Sequence, residues 1–237
     1  YMGFLAEAKP AGDSTRKIET FLTRLAQTGV AAATQDQAFN AVLFFYREVI
    51  REEPGAISAL RAKRPETMRT APTRDDVRAL LGAVRDVGGY PTRLIVQMLY
   101  GMGLRVSEPL NLRIKDVLIP ESRVIVRGAK GGKDRSVSIP CSLVNPIKAQ
   151  LEIARAVSER DRLAGLPVPL PGLLAKKYPD QRFSPAWAWL FPAHGPCLDP
   201  RLGEPVRWRC HEVNVQRCVK SAATGLGLFL TPHNLRH

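Results

Sequence analysis

Cysteine is scarce. The four present, Cys141, Cys197, Cys210 and Cys218, form no C-x-x-C pair and no common zinc spacing, so a zinc site recruiting His211 is not expected and the thiols are read as reduced, in a reducing cytoplasm. Long apolar runs are missing: nothing approaches the ~20 residues that a membrane-spanning helix needs. The opening Tyr1-Met2-Gly3-Phe4-Leu5-Ala6-Glu7 has neither a basic n-region nor an apolar core, which argues against a secretory signal. A start on Tyr rather than Met reads as a piece of a longer chain. Internal repeats and low-complexity tracts are absent. The last shortage is of acid, with 22 Asp+Glu against 35 Lys+Arg and a formal charge of +13.

What is there is globular in character. At about 150 residues per domain, 237 residues make one or two domains, each able to bury a core. The 45% hydrophobic and 24% charged fractions exclude wholesale disorder. The excess positive charge calls for a polyanionic partner, and nucleic acid is the commonest. On composition alone, a basic protein with no nucleic-acid role stays open.

Periodicity organises the chain. After Ser14, the residues Ile18, Phe21, Leu22 and Leu25 follow helical spacing and Gly29 is placed to end the helix. Thr34-Gln35-Asp36-Gln37 matches a capping box, and the stripe Phe39, Val42, Leu43, Tyr46, Val49 and Ile50 predicts a second buried helix face. Glu53-Pro54-Gly55 breaks the pattern. Residues 55–70, with Arg61, Lys63, Arg64 and Arg69, read as an extended basic linker that contacts phosphates, a solvated charge run being the open alternative. Thr73 then caps a helix with Asp75 and Asp76 in its first turn, and another spans roughly Pro91 to Tyr100 before Gly101 and Gly103 turn the chain. The period next changes: Val117-Leu118-Ile119, Val124-Ile125-Val126, and Val137 with Ile139 predict a three-stranded antiparallel meander. A long helix from about Val144 to Leu163 precedes a Pro-rich region at 164–200, and helical periodicity returns from about His211 to Ala223.

Three segments carry chemistry. Gly103-Leu104-Arg105-Val106-Ser107-Glu108 sets an arginine directly after a glycine turn at a helix mouth. Gly128-Ala129-Lys130-Gly131-Gly132-Lys133-Asp134-Arg135 is a cationic turn between two strands, and Thr231-Pro232-His233-Asn234-Leu235-Arg236-His237 closes the sequence. Each alone is weak. Although His233 and His237 stand i, i+4, no acid follows His233 as in H-E-x-x-H, so a zinc hydrolase is not expected. Together and in this order the three segments resemble the tyrosine recombinase (integrase) family. Ala41-Val42-Leu43-Phe44-Phe45-Tyr46-Arg47-Glu48-Val49, Arg61-Ala62-Lys63-Arg64-Pro65, and the insert with Leu174-Ala175-Lys176-Lys177-Tyr178-Pro179 and Trp187-Ala188-Trp189-Leu190-Phe191-Pro192 look like the integron integrases within it.

The resemblance implies a mainly α fold with a small antiparallel sheet. It divides the chain into a partial helical core-binding domain of the SAM-like type at 1–54, the linker at 55–70, and a catalytic domain at 71–237 with an integron-type insert at about 164–200. Strand exchange passes through a pentavalent phosphorus, whose added negative charge two guanidiniums clamp bidentately; each donor aimed at that charge contributes about 3 kcal/mol. By resemblance, Arg105 and Arg236 are the clamps, Lys130 protonates the leaving 5′ oxygen, His233 assists proton transfer, and Glu108 orients Arg105 or its neighbours, a plain helix N-terminal acid being its alternative. No metal and no cofactor are implied, because a protein–DNA phosphotyrosine conserves the bond energy. Arg61, Lys63, Arg64, Lys133, Arg135, Lys176, Lys177, Tyr178, Trp187 and Trp189 are the candidate DNA contacts, the aromatics for extrahelical bases of folded single-stranded sites, with core packing as their alternative.

The implied partners are DNA and, for the full-length protein, three further copies in a homo-tetramer on DNA, with no membrane; the implied location is the bacterial cytoplasm, at the nucleoid. The family's second His/Trp position and nucleophilic tyrosine lie beyond the closing box. All five tyrosines, Tyr1, Tyr46, Tyr90, Tyr100 and Tyr178, precede it, so the sequence reads as a fragment inert in strand cleavage. A DNA-binding remnant without catalysis and a generic phage or Xer-type recombinase remain as alternatives.

Overall fold

The computed structural model describes residues 1–62, 71–128 and 132–236 and divides the chain into two units, Tyr1–Arg69 and Thr70–His237. Lys63, Arg64, Lys130 and His237 lie outside the described residues.

The first unit is helical: α1 (Met2–Ala8), α2 (Ser14–Gln27) and α3 (Ala32–Phe44), the last running into a π-helical turn over Phe45–Ile50. Asp13 caps α2 by accepting from the Arg16 amide at 2.9 Å, and beyond its end Gly29 takes φ +75°. Ile18, Leu22, Val42 and Tyr46 form the core, with Phe39 packed against it. Two expectations need correction. The capping box at Thr34 does not form, because α3 starts at Ala32 without a side-chain cap; Gln35 is instead buried, its amide donating to the Leu22 and Leu60 carbonyls and accepting from the Ala62 amide. The apolar stripe ends at Tyr46: Val49 and Ile50, in the π-helical turn, are exposed.

Residues 55–62, read from sequence as the start of the linker, lie along α2. The amides of Gly55, Ser58 and Leu60 donate in turn to the side chains of Thr15, Glu19 and Thr23. Those three acceptors stand i, i+4, i+8 on one helix face, so a single stripe satisfies an otherwise unpaired extended backbone.

The second unit begins with α4 (Arg74–Ala83), where Thr73 and Asp76 form a reciprocal capping box. Then come α5 (Thr92–Met102), the single turn α6 (Ser107–Leu110), and the meander β1 (Val117–Leu118), β2 (Arg123–Val126) and β3 (Arg135–Ser138), in that spatial order and antiparallel throughout. α7 (Cys141–Leu163) is followed by α8 (Leu174–Lys177), a small antiparallel ribbon of β4 (Cys197–Leu198) and β5 (Pro205–Val206), α9 (Glu212–Gly225), and a closing 3₁₀ turn at Asn234–Arg236. One buried cluster joins α4, α5, the meander, α7 and α9, and includes Leu104, Leu110 and Leu235. The fold is mainly α with small antiparallel sheets. Among the described residues, no helix is long and apolar enough to cross a membrane.

The Pro-rich 164–200 region contains only short helical turns and a two-residue strand, and buried arginines tie it down. Arg113 donates to the carbonyls of Trp187 (2.6 Å) and Pro169 (2.8 Å), and its guanidinium lies 3.1 Å from the ring centroid of Trp189. Burial pushes its pKa down. Arg207 grips Asp161 through two 2.6 Å bonds and also donates to the carbonyls of Ala193 and His194. Both arginines count toward the positive charge of the sequence, yet both are buried.

Candidate nucleic-acid interface and catalytic site

Gly103 ends α5 in the left-handed region (φ +61°), a conformation open to glycine at little cost, and the chain reverses into Arg105 one residue before the α6 cap. Leu104, fully buried, fixes the base of that turn. The Arg105 guanidinium is about one-third exposed and donates from Nη1 to Glu108 Oε1 at 3.0 Å, while its own amide donates to Glu108 Oε2 at 2.7 Å. Pro109, tolerated in the single turn of α6, is buried beside Glu108.

Glu108 is the hub. Arg135, at the start of β3, donates from Nη1 and Nη2 to its two oxygens at 2.7 Å each, so the carboxylate accepts four hydrogen bonds. Burial alone raises this acid; the bonds from Arg135, the Arg105 amide and the Arg105 guanidinium outweigh it and hold the pKa down to about 2. Arg135, predicted as a DNA contact, is therefore committed to Glu108.

The turn between β2 and β3 is closed at its base. Asp134 accepts from the Gly128 amide at 2.9 Å and from Arg127 at 3.2 Å, and Arg127 also donates to buried Asp116 at 2.6 Å. A hollow of about 160 Å³ is lined by Arg105, Ser107, Glu108, Asn111, Arg127 and Gly128. Arg127 was not singled out by sequence; its signal was its place immediately before the Gly-Lys turn.

The closing box is pinned by Leu235, which is buried in the same cluster as Leu104. The Thr231 amide donates to Asn234 Oδ1 at 2.9 Å, and the 3₁₀ turn packs on α5. His233 is exposed and Arg236 partly so. Val106, adjacent to Arg105, lines a groove of about 650 Å³ together with His233, Lys220, Leu228, Phe229 and Leu230. The structure thus brings Arg105, Glu108 and Arg135 into direct contact, and sets Val106 and His233 around one groove.

The other candidate DNA contacts divide. Lys133, Lys176 and Lys177 are exposed, as is Tyr178. Arg61 pairs with Asp36 at 3.7 Å and lies over the Phe39 ring. Trp187 is half-buried with Lys115 Nζ 2.8 Å from its ring centroid. Trp189 is corrected to a core residue: it is 7% exposed, its indole N–H donates to the Arg207 carbonyl, and Arg113 stacks on it.

Comparison with known families is decisive here. Residues 72–237 match the phage integrase family, and residues 1–55 match the phage integrase N-terminal SAM-like domain. The chain belongs to the phage integrase family, the tyrosine recombinases. It is similar along its full length to an Escherichia coli integrase/recombinase, 36% identical over 244 residues and spanning 71% of that protein. It is 37% identical over 175 residues to the tyrosine recombinase XerA of Thermococcus onnurineus, over 68% of this chain and 59% of that one. The Tn1549 transposon integrase, solved in complex with circular intermediate DNA, shares the fold at a TM-score of 0.62 and 14% identity, over 95% of this chain and 71% of that chain.

Proposed function

We propose that this recombinase binds DNA and exchanges strands site-specifically through a 3′-phosphotyrosine, in the manner of an integron integrase that inserts gene cassettes. The observation that carries the reading is the common seat of the two arginine segments: Leu104 and Leu235, each immediately before a proposed clamp, share one buried cluster, and Val106 and His233 share one groove. Arg105 and Arg236 bind the non-bridging oxygens of the scissile phosphate, where a developing negative charge rewards bidentate donors. Lys130 protonates the leaving 5′ oxygen, and His233 moves the proton at the attacked phosphate. Glu108 takes no proton itself; it orients Arg105. Lys133, Lys176 and Lys177 bind phosphates, and the working assembly on DNA is a homo-tetramer. The XerA similarity favours a chromosome-resolving recombinase as second reading.

None of the five tyrosines present is proposed as the nucleophile. The Tyr46 hydroxyl is paired with that of Tyr1 in the first unit's core, and the Tyr90 hydroxyl accepts from the His194 amide. Residues 1–237 alone are accordingly expected to bind a site DNA nicked beside the scissile phosphate without forming a covalent adduct. An adduct seen on a denaturing gel would overturn the assignment of the nucleophile.

The integron reading rests on the insert. Tyr178 and Trp187 present aromatic surface, and an unstacked base on such a surface is worth about 1–3 kcal/mol. Tyr178→Ala and Trp187→Ala are each expected to weaken binding of a folded single-stranded site roughly tenfold while duplex binding holds. Equal losses on both substrates in gel-shift titrations would favour the second reading.

A further inference from the structure

We infer that Arg135 is a positioning residue that keeps Arg105 electrostatically active by neutralising Glu108, and does not itself grip DNA. The inference rests on the proposed phosphate-binding role of Arg105. Glu108 holds Arg105 in place through two bonds, one from the amide and one from the guanidinium. Taken as a pair, Arg105 and Glu108 carry no net charge, so an oriented guanidinium would face the phosphate with its field largely cancelled by the carboxylate that orients it. Arg135 resolves the conflict. Its fork occupies both carboxylate oxygens at 2.7 Å, the three groups together keep one net positive charge, and the two bonds from Arg105 to Glu108 remain.

The sequence position of Arg135 adds a second consequence. It directly follows Asp134, which closes the base of the turn through the Gly128 amide and Arg127. The strand end that bounds the Lys130-bearing segment is thereby tied to the carboxylate that orients Arg105.

The test uses inorganic phosphate as probe, titrated into the whole chain and followed at the backbone amide resonances of Val106 and Ser107. Arg135→Met is expected to weaken phosphate binding roughly tenfold, because Glu108 is then left to cancel Arg105 alone. Adding Glu108→Gln to Arg135→Met is expected to restore the affinity to within about twofold, since removing the carboxylate removes the need for its neutraliser. Arg135→Lys, which loses the fork but keeps the neutralising charge and guards against a folding defect in Arg135→Met, is expected to stay within about threefold of the parent. A double variant as weak as Arg135→Met, or an Arg135→Lys variant as weak as Arg135→Met with an unchanged melting profile, overturns the inference while leaving the Arg105 site standing. Phosphate binding indifferent to Arg105→Met overturns the phosphate site and the inference with it.

Discussion

Asp161→Ala is expected to destabilise the second unit by about 3–5 kcal/mol, the range for stranding one member of a buried ion pair. Asp161 and Arg207 are each under 10% exposed and joined by two 2.6 Å bonds. The remaining Arg207 donors go to the carbonyls of Ala193 and His194, so the guanidinium is fully engaged only while the carboxylate is there. Without it, a buried positive charge is left without its counter-charge. The double change Asp161→Leu with Arg207→Met is expected to cost far less, because both desolvation penalties disappear with the pair. Urea unfolding followed by tryptophan fluorescence measures this directly, since Trp187, Trp189 and Trp208 all lie in the second unit. A double variant as unstable as the single would show that the loss comes from packing rather than from the stranded charge.

Glu108→Gln is expected to cost about 3 kcal/mol near neutral pH and progressively less in acid. The Glu108 carboxyl moves from an ordinary 4.5 to about 2 in the folded chain. A folded pKa below the unfolded one means the unfolded state binds the proton more tightly. The stabilisation is therefore whole above about pH 4.5 and is lost as pH falls toward 2. The difference between the two pKa values corresponds to about 3 kcal/mol. The quantity to measure is the gap in unfolding midpoint between parent and variant, first at pH 7 and then near pH 2.5, so that titration of the other acids cancels. A gap that stays constant across that range would mean that Glu108 stabilises by shape and not by charge.

Much of the second unit was legible in the sequence because its signals are local. Thr73 caps its helix as predicted, the structure adding the reciprocal bond from its amide to Asp76, and the alternation through Val117–Leu118, Val124–Val126 and Val137 became the meander. The failures share a cause. Thr34 carried a valid capping pattern, but the helix starts three residues earlier, at Ala32 rather than Gln35, and Gln35 is buried among the carbonyls of Leu22 and Leu60. Trp189 read equally well as a base-stacking surface or as core, and only its 7% exposure under Arg113 chose between them.

By itself the sequence determined the family, the order of the longer helices and of the meander strands, and the residue types at the three chemical segments, since each depends on spacing within a few residues or on a motif held in order; α1 and the β4–β5 ribbon it did not show. What the tertiary structure alone decided is which charges work outward and which work inward. Arg113, Arg135 and Arg207 are indistinguishable in sequence from phosphate-binding arginines, yet two are buried and the third is spent on Glu108. The physical reason is that a guanidinium's role is set by its partner and its burial, and those partners (Asp161 for Arg207, Glu108 for Arg135, and the carbonyls of Pro169 and Trp187 for Arg113) lie far along the chain.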